Sequence, residues 1–471
     1  MIYPLAKRNI LSKKYPAILN YALTCSLLLN LYSSPLFSQI IETETDLTPE
    51  TVRESHLSSA LPPSFEELEN KLSHINLSPP ELDFTRFYGR QIVKNENTSN
   101  KAIFEFFALE KQFRSINFCE SIAVAEMATT AKIAQERAKL MNEESTGSRT
   151  YQGSFQSFNN GKLLYKHWLQ SWLMSDTSIE ELESIAKLEL IQVQFLRQKL
   201  NNDNLKVNHR EFHAKENDKI IAEFKKREQT VSHYLLEYFG YPPPANSLKI
   251  IPSSLPKSFP APGIYNTSTR EFIYHLQTET LPEQYMDWLF LHEGLPGHHY
   301  QSQIASYSPL CPSMESLSPS SIFSEGWAAY VETIGDDLGL YKDKSSRAYA
   351  LDWQALRAVR VILDIGIHYH GWSDDKARQV WMKHIPKQKP IMEREITRIH
   401  NWPAQVITYV YGKSRIEKSI AELKNKGYLI AEIYQSILSL SNFSLNSLDF
   451  LERVLIERNR QQRKEYHNNA K

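Results

Sequence analysis

The sequence predicts a mainly α, multi-helix protein with a small β element just ahead of a histidine-bearing helix. Three observations carry this. Glycine is scarce, 15 of 471 residues, and the chain is rich in helix formers such as Leu, Glu, Lys and Ala. From Phe65 onward, long stretches of those residues are bounded by capping signals. Pro242-Pro243-Pro244 then halts the pattern, and short segments with apolar–polar alternation follow. The balance of 41% hydrophobic and 23% charged residues is ordinary for a globular protein. Lys+Arg and Asp+Glu both number 54, so no charge excess draws nucleic acid, which is not an expected partner.

In chain order, Lys7, Arg8, Lys13 and Lys14 precede an apolar run from Ala17 to Tyr32, then Ser33, Ser34, Pro35 and Ser38. That is the order of a secretory signal peptide over 1–38, and it implies a periplasmic or secreted protein. Asn20, Thr24, Ser26 and Asn30 make the run a poor permanent span. Cys25 has no Gly or Ala just before it, which argues against a lipid anchor. Maturation leaves Cys119 and Cys311, which either pair or stay as buried thiols. Residues 39–64 read as a polar lead-in.

Residues 65–240 read as an N-terminal helical region. Its helical stretches are Ala102–Met141, Gly161–Trp172, Thr177–Leu200 and Glu216–Tyr238. Thr177 with Glu180 and Ser178 with Glu181 are overlapping capping-box candidates. Residues 241–471 read as a catalytic region. Leu248–Ile251 and Glu271–Leu276 are its expected strands, the second a candidate edge for aligning a peptide. Thr280 with Glu283, and Pro282 between them, predict the next helix start. The charged stretch Arg453–Lys471 reads as a solvated terminal helix.

The chemistry-bearing segment is His292-Glu293-Gly294-Leu295-Pro296-Gly297-His298-His299, an H-E-x-x-H pattern with Pro-Gly inserted before the second histidine. Two imidazoles can hold a metal, and the adjacent carboxylate can take a proton from metal-bound water. On a regular helix His292 and His298 would face about 120° apart, while His299 would sit about 10 Å up the axis. Pro296 removes an N–H donor and Gly297 relaxes the backbone, so a local bulge is expected to turn His298 toward His292. His299 is the alternative second ligand. Glu325, opening a helix after the Pro/Ser-rich stretch 308–321, supplies a third, anionic ligand. Ala328 and Ala329 leave room beside it.

Glu332 and Asp336 follow on the same face and are expected to orient the ligand histidines. Arg357, Asp364 and His368 share one face of an otherwise apolar helix, where charges must be paired or functional. Arg357 and Asp364 are supporting candidates there. His368 and Tyr409 are candidate donors to an oxyanion, although packing is the ordinary role for any one of 24 tyrosines.

Four ordered segments resemble the bacterial domain-of-unknown-function 885 family. They are His292–Gln301 (HEGLPGHHYQ), Glu325–Glu332 (EGWAAYVE), Arg357–Trp372 (RAVRVILDIGIHYHGW) and Trp402–Gly412 (WPAQVITYVYG). The resemblance is clear over roughly 240–420. It implies a mostly helical, gluzincin-like metallopeptidase architecture. Glu-Gly-Trp-Ala is similar to the Glu-Gly-Phe-Ala of membrane-alanyl-aminopeptidase relatives, where that Glu is the third zinc ligand. The resemblance therefore implies Glu325, rather than Glu332, as ligand.

The expected activity is zinc-dependent hydrolysis of peptides, with one Zn²⁺ on His292, His298 and Glu325 and with Glu293 as general base. The rival readings are an inactive metal- or peptide-binding protein on the same scaffold and a metal-dependent amidase or esterase.

Overall fold

The computed structural model describes residues 62–75, 97–115, 117–144, 151–202, 210–245, 248–307, 321–440 and 443–469. The expected signal peptide lies outside them. Among the described residues, no helix is long and apolar enough to cross a membrane.

Helices dominate. The first is α1 (Phe65–Ser73), capped by Ser64, whose side chain accepts from the Glu67 N–H while the Glu67 carboxylate accepts in return from the Ser64 N–H. Then come α2 (Asn97–Glu110), α3 (Phe118–Glu144), α4 (Gly161–Leu173), α5 (Ile179–Asn202) and α6 (Asn217–Phe239). The stretch expected as one helix over Ala102–Met141 is two, parted at 111–117. At α5 the cap is Ser178, which accepts from the Glu181 N–H at 3.1 Å. Thr177 instead donates to the Tyr411 hydroxyl at 2.6 Å. Cys119 is disulfide-bonded; Cys311 lies outside the described residues.

Five short strands punctuate the middle: β1 (Glu211–His213), β2 (Lys249–Pro252), β3 (Gly263–Asn266), β4 (Glu271–Tyr274) and β5 (Thr280–Pro282). Two corrections to the sequence reading arise here. The Thr280 segment does not start a helix, because Leu281 pairs with Phe212 in an antiparallel β1–β5 ladder and the next α-helix begins at Met286. β4 is not an edge strand. It is central, parallel to β2 on one side and antiparallel to β3 on the other. The missed strand β3 takes the edge, its alternation hidden by Pro260, Pro262 and Gly263.

The second half holds α7 (Met286–Glu293), α8 (His298–Tyr307), α9 (Ser321–Val331), α10 (Lys344–His368), α11 (Asp374–His384) and α12 (Met392–Asn401). α13 (Thr408–Asn425), α14 (Ile430–Ser439) and α15 (Leu451–Asn469) complete it. One hydrophobic core runs from Leu68 to Leu455, so residues 65–240 and 241–471 do not enclose separate cores. α5 lies along α10 and α6 packs on α14, which ties the two regions together.

α9 and α13 pack closely against each other. A Cβ on Gly326 would lie 2.6 Å from the Gly412 backbone, so two glycines let these helices touch main chain to main chain. Gly326→Ala should therefore force them apart and cost about 1–3 kcal/mol. Thermal unfolding checks this; an unchanged midpoint would contradict it.

Candidate metal centre

α7 is entirely buried, from Met286 to Glu293. The helix does not continue through a bulge, as expected from sequence. It stops at Glu293, and α8 starts at His298. The Leu295–Pro296 peptide between them is cis. Gly297 sits so close to the end of α7 that a Cβ there would lie 2.0 Å from the His292 carbonyl oxygen. The Trp327 indole N–H donates to the Pro296 carbonyl at 2.8 Å, tying this break to α9. The break resets the direction of the chain and brings His298 to face His292, with ring centroids 4.7 Å apart.

His292, His298 and Glu325 each turn one ligand atom toward a common point, and these atoms lie within 4.8 Å of one another. Glu325 Oε2 is 3.5 Å from His292 Nε2 and 3.7 Å from His298 Nε2. A tetrahedral ion with bonds of about 2.0–2.2 Å sets its ligand atoms about 3.4 Å apart. Glu325 Oε2 is buried and has no conventional hydrogen-bond partner, as a ligand oxygen would. Glu325 does not open its helix, as the sequence suggested. α9 begins at Ser321, and the carboxylate is a full turn inside it.

The surroundings fix the rings. His292 Nδ1 lies 2.6 Å from Glu332 Oε1, so its Nε2 faces the common point. Arg357 donates to the other oxygen of Glu332 and approaches His292 Nδ1 at 3.4 Å. His298 Nδ1 lies 3.0 Å from Ser324 Oγ. Sequence reading missed Ser324, and its only signal was adjacency to Glu325. Trp288 stacks against His292 at 6.0 Å and on Trp353 at 4.3 Å, closing one side with apolar surface.

Glu293 is buried and lies against β3, where a Cβ on Gly263 would meet its Cγ at 3.1 Å. Tyr409 stacks near His292, centroids 6.4 Å apart, with the Arg357 guanidinium 5.0 Å from its ring centroid.

The charges are uneven. Buried Glu293 and Glu332 and half-buried Glu325 are three carboxylates beside the guanidinium of Arg357. Burial disfavours an imidazolium at His292, but Glu325 and Glu332 outweigh it and raise the ring to about 9. Burial pushes the Glu293 carboxyl up. Burial opposes ionisation of Glu325 too, but the two histidines hold it well below the usual carboxylate range. With neutral histidines, the excess of anionic charge is what a divalent cation would cancel.

Four expectations do not fit this arrangement. His299 is not in the cluster; its Nδ1 lies 3.1 Å from the Tyr265 hydroxyl on β3. His368 lies about 16 Å along α10 from Arg357, with its Nε2 on the Ile399 carbonyl at 3.0 Å in a nest of aromatic rings. Asp364 accepts from the Tyr165 hydroxyl at 2.5 Å and the Ala404 N–H at 3.0 Å, anchoring the turn before α13. Asp336 faces solvent and pairs with Arg347. For His368 and Asp364 helical periodicity gave the shared face but not the distance along the axis; for His299 and Asp336 the helix had already ended, so its periodicity did not apply.

The family model for "Bacterial protein of unknown function (DUF885)" matches residues 119–429. The chain belongs to this family. No curated protein matches it. Two solved structures share the fold. A "putative lipoprotein" from Colwellia psychrerythraea matches with TM-score 0.55 and 16% identity, over 84% of this chain and 69% of that one. A "putative lipoprotein of unknown function" from Shewanella oneidensis matches with TM-score 0.50 and 18% identity, over 83% and 77%. All four of the motifs quoted from the sequence fall inside the family match.

Breaking the Glu332–Arg357 pair leaves an uncompensated buried carboxylate. Arg357→Met should cost about 3–5 kcal/mol in urea unfolding, partly recovered on adding Glu332→Gln. Equal stability of wild type and the single variant would show that the pair is not needed to keep Glu332 buried.

Proposed function

We propose that the protein is a zinc-dependent peptidase with a gluzincin-like arrangement of its metal helices. The convergence of two imidazole nitrogens and one unpartnered carboxylate oxygen beside a buried, separate glutamate carries this reading. His292, His298 and Glu325 would hold the ion. Zinc, when bound, supplies a Lewis acid that polarises a carbonyl and acidifies water. His₂Glu with an open position suits that use better than a closed structural site.

The chain's own groups do the rest. Glu293 takes the proton from the attacking water and passes it to the leaving nitrogen. A mere binding site has no use for such a base, which favours an enzyme over an inactive scaffold. Tyr409, whose ring lies 6.4 Å from that of His292, would donate its hydroxyl to the developing oxyanion. Glu332 holds the His292 ring in place, and Arg357 holds Glu332. The peptide-aligning role first given to the Glu271 strand passes to edge strand β3, because β3 begins with Gly263 against Glu293. Export fits this reading, since both structural neighbours are described as lipoproteins and the N-terminal segment has the order of a signal peptide.

Glu293→Gln should retain zinc by elemental analysis and lose about 10²–10⁴-fold in peptide hydrolysis. Full activity in that variant would remove Glu293 as the base. Glu332→Gln should leave the three ligands in place yet weaken zinc about 10–100-fold, read by competition with a chelator. Undiminished affinity would show that its contact with His292 does not tune the site.

A further inference from the structure

The outer face of α5 carries an apolar stripe. Leu188, Ile191 and Phe195 are 65%, 62% and 65% exposed and stand at i, i+3 and i+7, on one side of the helix. Of the six other exposed large hydrophobics among the described residues, no two share an element. Single exposed apolar side chains are ordinary on a surface, whereas a contiguous row marks a contact face.

The stripe cannot roll inward. Leu182, Ala186, Val193 and Leu200 bury the opposite face of α5 in the core. Glu189 pairs with Lys413 of α13 at 2.7 Å, Arg197 pairs with Asp352 of α10, and Glu183 lies 2.8 Å from His370 just past α10. These contacts fix the helix about its own axis along its whole length.

The charges beside the stripe point to what covers it. Glu181 and Lys199 are both exposed, on the flank next to Leu188. Eighteen residues separate them, five turns of 3.6, so they face the same way about 27 Å apart. Their midpoint is Leu190, one residue from Ile191 in the middle of the stripe. A two-fold axis crossing the helix at Ile191 therefore satisfies both patterns in one register, each contact occurring twice. It sets Ile191 against Ile191 of the partner subunit and Leu188 beside Phe195 of the partner subunit. It also brings Glu181 level with Lys199 of the partner subunit to within about 3 Å along the axis. A parallel pairing would instead oppose Glu181 to its own equivalent and Lys199 to its own, setting like charges together.

We infer that this face docks a second copy of the chain, as an antiparallel α5–α5 dimer held by the Leu188–Ile191–Phe195 stripe and two Glu181–Lys199 pairs. The face is five turns of one helix, smaller than a standard interface, so the dimer dissociates at micromolar concentrations.

Sedimentation equilibrium of the purified chain from about 1 to 100 μM tests this, and the wild type should pass from monomer to dimer across that range. Ile191→Glu should lower the dimer affinity about 100-fold, because both copies lose a buried isoleucine and gain facing charges. Glu181→Lys and Lys199→Glu should each lower it about 3–10-fold, and the double reversal should restore it. An unchanged thermal midpoint verifies the fold of each variant. A monomer at every concentration, a dimer indifferent to Ile191→Glu, or a double reversal no stronger than the single ones overturns the inference. Phosphatidylglycerol vesicles form a parallel arm: a monomer that co-sediments with them, and no longer does so as Ile191→Glu, gives the face to a membrane and overturns the dimer.

Discussion

The whole site depends on the backbone break between Glu293 and His298. A continuous helix would splay the two imidazoles by about 120°. The break avoids this because Gly297 fits where a Cβ would lie 2.0 Å from the His292 carbonyl oxygen. Trp327 then fixes the break from α9, two residues after Glu325. The stretch Glu325–Glu332, in α9 and its continuation, thus supplies the third candidate ligand, the tether of the break and Glu332. Gly326, between Glu325 and Trp327, sets how closely α9 meets α13, and with it how near Tyr409 comes to His292.

Electrostatics explains why such a cluster needs something more than its own side chains. Buried carboxylates are tolerated when paired. Glu332 is paired, through Arg357 and His292. Glu325 and Glu293 lie beside His292 and His298, which must be neutral to bind a metal.

Much of this was legible in the sequence, because short-range spacing encodes it. The cap at Ser178, the triple-proline stop and the HEGLPGHH and EGWA segments each act within a few residues. What was not legible depends on contacts between distant segments. Strand β3 hides behind prolines and a glycine, yet it is Gly263 that lets Glu293 lie against the sheet. Gly326 and Gly412 meet only through the packing of α9 on α13. His368 and Asp364 share the Arg357 face of α10, and periodicity alone could not show that they lie too far along the axis.

The central claim is that His292, His298 and Glu325 close around one divalent ion. X-ray absorption at the zinc edge on the purified full chain, loaded with one equivalent of zinc, tests it most directly. The account predicts two imidazoles and light oxygen donors at about 2.0–2.2 Å, with one imidazole lost in His298→Ala. A spectrum with no imidazole scattering, or one unchanged by His298→Ala, would contradict it.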